Sequence, residues 1–166
     1  MRALKILMFT TFYPPYSFGG DAVGVQRMAQ ALVRRGHSIT VVHDKDAYQT
    51  MGGEVSGKTY SDDGVTEIAL SSQWPMMTNL LTQQTGRPLV HGGAIRQLID
   101  DGEFDIIWHN NTSLVGGPGL LDYGDALKII PSPEFMITEF AYENELALKS
   151  FDFTNLKLGT DTTLGI

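Results

Sequence analysis

Cysteine is absent from all 166 residues, which excludes disulfide frameworks, thiolate nucleophiles and cysteine-based zinc sites and fits a reducing compartment. Basic residues are also scarce: 12 Lys and Arg stand against 19 Asp and Glu, a net charge of −7. Counterion release on a polyanion needs clustered cations, so this balance disfavours a nucleic-acid partner and electrostatic attachment to anionic lipid. No run approaches the ~18 apolar residues of a membrane span. The apolar stretch behind Arg2 and Lys5 is too short for a signal peptide and ends in Thr and Pro. The expected location is the cytoplasm, at most peripheral to a membrane, which makes the sequons at Asn110 and Asn111 chance occurrences. His37, His43, His91 and His109 lack the paired spacing of a metal site. There is no internal repeat and no low-complexity segment.

What is present is organised around residues 4–36. Leu4, Ile6, Leu7, Met8 and Phe9 form the nearly continuous apolar run of a strand covered on both faces. Pro14 and Pro15 forbid a longer strand or an early helix, and Gly19 and Gly20 let the backbone turn and approach a ligand. Asp21 reads as an N-cap, after which Val25, Met28, Ala29 and Leu32 recur at helical spacing. Arg34 and Arg35 suit the last turn and Gly36 closes it. Ile39, Thr40, Val41 and Val42 predict a second strand, and residues 44–63 a polar, Gly-rich loop. A third strand is expected over 65–70, helices over 74–85 and 92–101 with Gly102 as the stop, and a fourth strand over 104–108 that ends at His109. Residues 114–128 read as partly helical. Strands alternating with helices imply an α/β, doubly wound, mostly parallel sheet with helices on both faces. From Pro131 onward the chain is acidic, with one candidate helix over 139–149 and then a loose end.

Several motifs have a functional and a plain reading. Residues 52–59, GGEVSGKT, match the phosphate-loop pattern G-x-x-x-x-G-K-[ST] letter for letter. That motif needs a buried strand before it and a helix after it; here polar sequence precedes and a strand follows, so it is rejected. Phe18-Gly19-Gly20-Asp21-Ala22-Val23-Gly24 lacks the G-x-G-x-x-G spacing of a dinucleotide fold, although Asp44 and Asp46 lie where a ribose-binding acid would sit. The loop reads instead as a wide connection over an open cleft, where glycine amides and a helix N-terminus meet phosphate or sugar, or as a connection with no ligand. His109 is followed by Asn110, Asn111, Thr112 and Ser113, a polar cluster that either binds ligand or caps a helix. Both segments belong to the carboxyl edge of the sheet, where open α/β folds bind. His37 reads as structural, and His43 stays open. Trp74, Met76, Met77, Leu80 and Leu81 form a stripe expected to be a core face rather than a membrane or partner surface.

The run PPYSFGGDAVGVQRMAQALVRRGHSITVV resembles the opening of retaining family-4 glycosyltransferases of the GT-B fold, and WHNNTSLVGGPGLL is similar to their segment where a strand ends in His before a glycine-containing helix. The order and separation of the two segments agree with that family over residues 3–130. The resemblance implies one Rossmann-like half of a GT-B enzyme. Residues 1–130 would be its N-terminal, acceptor-side domain and residues 131–166 a divergent tail. Gly19 and Gly20, with Asp21, would lie against the donor diphosphate and the acceptor. His109 would contact the donor sugar as the catalytic residue, with Asn110 and Asn111 beside it in substrate binding. No metal or other cofactor is implied, because amides and basic side chains stabilise the departing diphosphate. The expected partners are a nucleotide-sugar donor, a sugar or lipid-linked acceptor, and a C-terminal donor domain that this chain lacks.

Departures accompany the likeness. No Glu of the tail has another eight positions on, so the family's E-x7-E motif is missing, and Pro131-Ser132-Pro133 interrupts the strand expected after Lys128-Ile129. These imply a truncated glycosyltransferase, inactive alone. Two other readings stand beside it: a non-catalytic α/β module holding sugar or nucleotide, and a nucleotide-cofactor oxidoreductase disfavoured by the glycine spacing.

Overall fold

A computed structural model describes residues 2–55, 62 and 64–123, and the backbone of 129–131. Its elements are β1 (Lys5–Phe9), α1 (Gly20–Arg34), β2 (Ser38–Asp44), α2 (Lys45–Thr50), β3 (Val65–Leu70), α3 (Pro75–Thr85), α4 (Gly92–Gly102), β4 (Ile106–His109), a 3-10 turn at Pro118–Tyr123 and β5 (Ile129–Pro131). The five strands lie in the order β3-β2-β1-β4-β5, and every pairing is parallel. This is a Rossmann-like doubly wound α/β sheet. The chain winds outward from β1 through β2 to β3, then crosses to β4 on the other side. The switch in direction therefore falls between β1 and β4, in register from Ile6 opposite Ile106 to Phe9 opposite His109.

The pleat of β1 divides the core into two layers. Leu7 and Phe9 point to one face, where they meet Val42, Ile95 and Ile107, with Val115 and Leu120 closing over them. Ile6 and Met8 point to the other, against Val25 and Ala29 of α1 and Ile39 and Val41 of β2. Each large aliphatic or aromatic side chain buried this way contributes roughly 1.5–3 kcal/mol, so a strand covered on both faces anchors the fold.

Helix α1 follows its apolar period: Ala22, Val25 and Ala29 are buried, with Met28, Leu32 and Val33 packed against the same layer. It ends as its composition requires. Arg35 is the C-cap, and Gly36 takes the left-handed φ of +87° that lets its N–H return to Val33 at 2.8 Å.

Four expectations need correction. Asp21 is not the N-cap: Gly19 holds that position, and no side chain caps the helix, while Asp21 lies in the first turn. The 44–63 segment is not all loop, because Asp44 Oδ1 accepts the Ala47 N–H at 3.0 Å and starts α2. A helix of six residues has too few positions to display an apolar period. Gly102 does not itself turn left-handed; Glu103 does, at φ 47°, and Gly102 is small because a Cβ there would strike the Phe104 ring. Pro131 does not interrupt β5 but ends it opposite His109, at an edge where a missing N–H is tolerated. The second half of the GGEVSGKT run, residues 56–59, and the tail from residue 132, with its expected helix and loose end, lie outside the described residues.

Candidate functional site

The carboxyl ends of β1 and β4 carry the two loops singled out in the sequence. The first leaves Phe9, passes a cis Pro14–Pro15 bond and reaches α1 at Gly19. It is braced by aromatic contacts. Phe18 stacks on Tyr48 at 4.6 Å, Tyr16 stacks on His43 at 5.9 Å, and Lys45 Nζ lies 5.2 Å from the Tyr16 ring centre. Buried Tyr13 donates its hydroxyl to Asp62 Oδ2 at 2.5 Å, and Gln30 of α1 donates to the other oxygen at 2.7 Å. The residues that hold this loop are therefore Tyr13, Tyr16, Phe18 and Tyr48, none of which the sequence reading assigned a role. The spacing of aromatics in FYPPYSF was the available signal.

Gly19 and Gly20 are exposed, and a Cβ built on either meets nothing within 4 Å. The first turn of α1 beside them has no side-chain cap, so no side chain satisfies its amides at the positive end of the helix dipole. Asp21 sits within that turn and is exposed.

The second loop docks against the first. Thr11 N donates to Asn111 O at 2.5 Å, and Leu114 N donates to Thr11 Oγ1 at 3.3 Å. Asn111 Oδ1 accepts from the Ser113 N–H and hydroxyl, while Asn111 Nδ2 donates to Asp21 Oδ2 at 3.2 Å. Asn110 is buried, with its N–H and side-chain amide both directed to the Phe9 carbonyl. Gly19, Gly20, Asp21, His109, Asn110 and Asn111 thus lie on one sheet edge around the β1–β4 switch point, where open α/β sheets bind ligands. They divide sharply by exposure. Gly19, Gly20, Asp21 and Asn111 reach solvent; Asn110 and His109 do not.

His109 is 1% exposed and stacks on Phe9 with ring centres 5.4 Å apart. Burial disfavours its charged form and lowers its pKa to about 4, so the ring is neutral at pH 7. It forms the floor of the edge rather than its rim.

The acids considered for a ribose hydroxyl turn inward instead. Asp44 is fully buried as the α2 cap, and Asp46 Oδ1 accepts the Ser72 N–H at 3.0 Å. Burial, with the neighbouring Asp46 charge adding to it, raises the Asp44 pKa to about 7 against the pull of the Ala47 N–H. His91 is shifted the other way, lowered by burial despite Asp46. His43, left open by the sequence, bonds Glu67 Oε1 through Nε2 at 2.8 Å inside the sheet.

Helix α3 reverses the expectation of a core stripe. Trp74 and Met76 are 73% and 74% exposed, and Met77 and Leu80 are exposed with them. The buried side carries Thr78, Asn79 and Thr82. Thr78 bonds Ser72 at 2.7 Å and Asn79 donates to Thr50 of α2 at 2.9 Å. Short polar side chains let α3 lie against α2, with Asn79 bonded through its Nδ2 while its Oδ1 is buried without a partner, and this leaves the apolar side outward. Leu89 and Val90 are exposed as well, and no described helix is long and apolar enough to cross a membrane.

No family model matches the chain. A 39-residue stretch is 46% identical to an uncharacterized 42.6 kDa protein in the cps region of Klebsiella pneumoniae, covering 24% of this chain and 10% of that protein.

Proposed function

We propose that this chain is the acceptor-side domain of a glycosyltransferase of carbohydrate biosynthesis. The complete enzyme would move a sugar from a nucleotide-sugar donor to a sugar or lipid-linked acceptor, with retention. The observation that carries the reading is the open pair Gly19–Gly20 at an uncapped helix start, beside the β1–β4 switch point. Backbone amides held there suit a departing diphosphate, whose charge grows as the bond to the anomeric carbon breaks. The likeness to a protein of a cps (capsule polysaccharide) region supports a place in polysaccharide synthesis.

In this reading Gly19 and Gly20 face the diphosphate and the acceptor. Asn110, Asn111 and Asp21 hold the two loops at a fixed separation. His109 is a neutral positioning residue beneath them; a ring with a pKa near 4 is too weak a base and too rarely protonated to move a proton at pH 7. Transfer calls on no metal or other cofactor. The donor-binding domain completes the cleft, and the exposed α3 side chains favour peripheral contact with a membrane that presents the acceptor.

The burial of His109 favours a second reading, a non-catalytic module that holds sugar or nucleotide without turning it over. Amide NMR of the chain, titrated with nucleoside diphosphates and nucleotide-sugars, tests both. Shifts at Gly19 and Gly20 are expected, and silence there at millimolar ligand overturns both. Sugar transfer on adding a donor-binding domain distinguishes the first from the second.

A further inference from the structure

Away from the glycine loop, at the corner where β2 runs into α2, Asp44, Asp46 and His91 come together. They are 0%, 1% and 7% exposed. Each carboxylate spends Oδ1 on a backbone N–H, of Ala47 and of Ser72 respectively. Asp44 Oδ2, Asp46 Oδ2 and His91 Nε2 are buried without a hydrogen-bond partner, although His91 Nε2 lies 3.6 Å from Asp46 Oδ2. Ligand atoms of the three residues lie within 4.8 Å of one another. Among the described residues no Lys or Arg pairs with either acid.

Native interiors rarely leave polar atoms unpaired, and here three such atoms belong to residues whose ligand atoms lie within 4.8 Å of one another. A bridging water would satisfy the lone pairs yet leave Asp46, and Asp44 whenever it ionises, in a buried corner with no Lys or Arg of the described residues paired to them. A cation supplies both partner and countercharge. We propose that Asp44, Asp46 and His91 bind a divalent transition-metal cation, Zn2+ or Mn2+. Two carboxylate oxygens and one imidazole nitrogen suit these ions, whereas Mg2+ prefers oxygen and retained water. The bonds from the Ala47 N–H in α2 and the Ser72 N–H after β3 hold both carboxylates in orientation, the outer support that a metal site requires. Bound there, the ion clamps the β2–α2 corner to the residue that starts α4. The proposal does not rest on the glycosyltransferase reading, although the corner adjoins the first loop: the Asp44 N–H bonds Thr11 O, and Lys45 and Tyr48 of α2 contact Tyr16 and Phe18.

The test uses the full chain, stripped with chelator and titrated with Zn2+, Mn2+ or Mg2+ alone. Bound metal is counted by elemental analysis and thermal unfolding is recorded in parallel. One equivalent of Zn2+ or Mn2+ with a raised Tm is expected, and a much smaller response to Mg2+. Asp44→Asn and Asp46→Asn keep the oxygen that accepts the backbone N–H and replace the orphan oxygen with an amide. Each is expected to fold and to weaken binding at least tenfold, as is His91→Gln. Absence of stoichiometric binding by the wild-type chain overturns the site, as would a trapped water alone in a crystal soaked with Zn2+. Binding unchanged in all three variants overturns it too, by moving the ion elsewhere. Should a variant fail to fold, the wild-type stoichiometry and its loss in the remaining variants decide the matter.

Discussion

Asn111 donates its side-chain amide to Asp21 across 3.2 Å, joining the loop after β4 to the first turn of α1 over 90 residues of chain. The same side chain accepts from Ser113, so one residue sets both the shape of its own loop and its distance from the helix start. Replacing Asn111 with Ala removes these exposed bonds and is expected to lower stability by about 1 kcal/mol in urea unfolding. The larger effect falls on ligand binding, because the crevice loses its fixed width. A variant that melts lower but binds nucleotide-sugar as before would show that Asn111 serves the fold alone.

Gly20→Val separates space from stability in the same way. A Cβ at Gly20 meets nothing, so the folded chain accommodates it, and unfolding free energy should change by less than about 1 kcal/mol. The added side chain fills the approach to the amides, and affinity for a nucleoside diphosphate should drop at least tenfold. Gly36→Val is the contrast. At φ +87° the strain falls on the backbone, and stability should drop by about 1–2 kcal/mol with the ligand edge untouched. Calorimetric melts beside binding isotherms check both.

How far the letters alone revealed this molecule follows from the length of each signal. Strands β1 and β2 and helix α1 were legible because the apolar period runs over many residues and the stop agrees with it, although the helix starts without the expected Asp21 cap. Helix α2 was not, since one buried turn and a capping Asp44 leave no period in six residues. The edge that gathers Gly19, Gly20, His109 and Asn111 was legible from topology, because strand ends in a parallel sheet share an edge. That His109 and Asn110 turn inward was not legible, as a loop sequence does not reveal which side chains fold back onto the strand before it. Nor was the meeting of Asp44 and Asp46 with His91, which depends on how α4 approaches α2 and carries no short spacing.

Helix α3 misled for a different reason, and it supplies a stability prediction with an unusual sign. Met76, Met77 and Leu80 look like core yet are exposed, Leu81 is half-buried, and Thr78, Asn79 and Thr82 are buried. Met76→Gln with Leu80→Gln is therefore expected to leave unfolding free energy within about 0.5 kcal/mol of the parent. Asn79→Leu, which adds hydrophobicity, should cost about 1 kcal/mol by removing the bond to the hydroxyl of exposed Thr50. If the paired glutamine substitutions destabilise and Asn79→Leu does not, the helix faces the other way.

Stability against pH offers a check on the buried groups in chelator-treated protein. His109 has a folded pKa of about 4 against an ordinary 6.5, so between those values the unfolded chain takes up a proton that the native chain refuses. Its contribution is complete above pH 6.5 and falls away as pH drops towards 4, by about 3 kcal/mol over the full interval. His91, also lowered by burial, acts in the same direction. Asp44 opposes them. With its pKa raised from 3.8 to about 7, the native chain keeps a proton that the unfolded chain releases, so stability falls as pH rises through that range. The parent should therefore show a shallow profile between pH 4 and 7, the difference of two steep ones. His109→Gln removes one of them, and its unfolding free energy should decline with rising pH more steeply than the parent's. Parallel urea titrations at half-unit pH intervals read that difference in slope directly, whatever the absolute cost of the substitution. Identical slopes would mean that His109 takes up its proton in the folded chain as readily as in the unfolded one, and that the floor beneath the glycine loop is wetter than its packing on Phe9 implies.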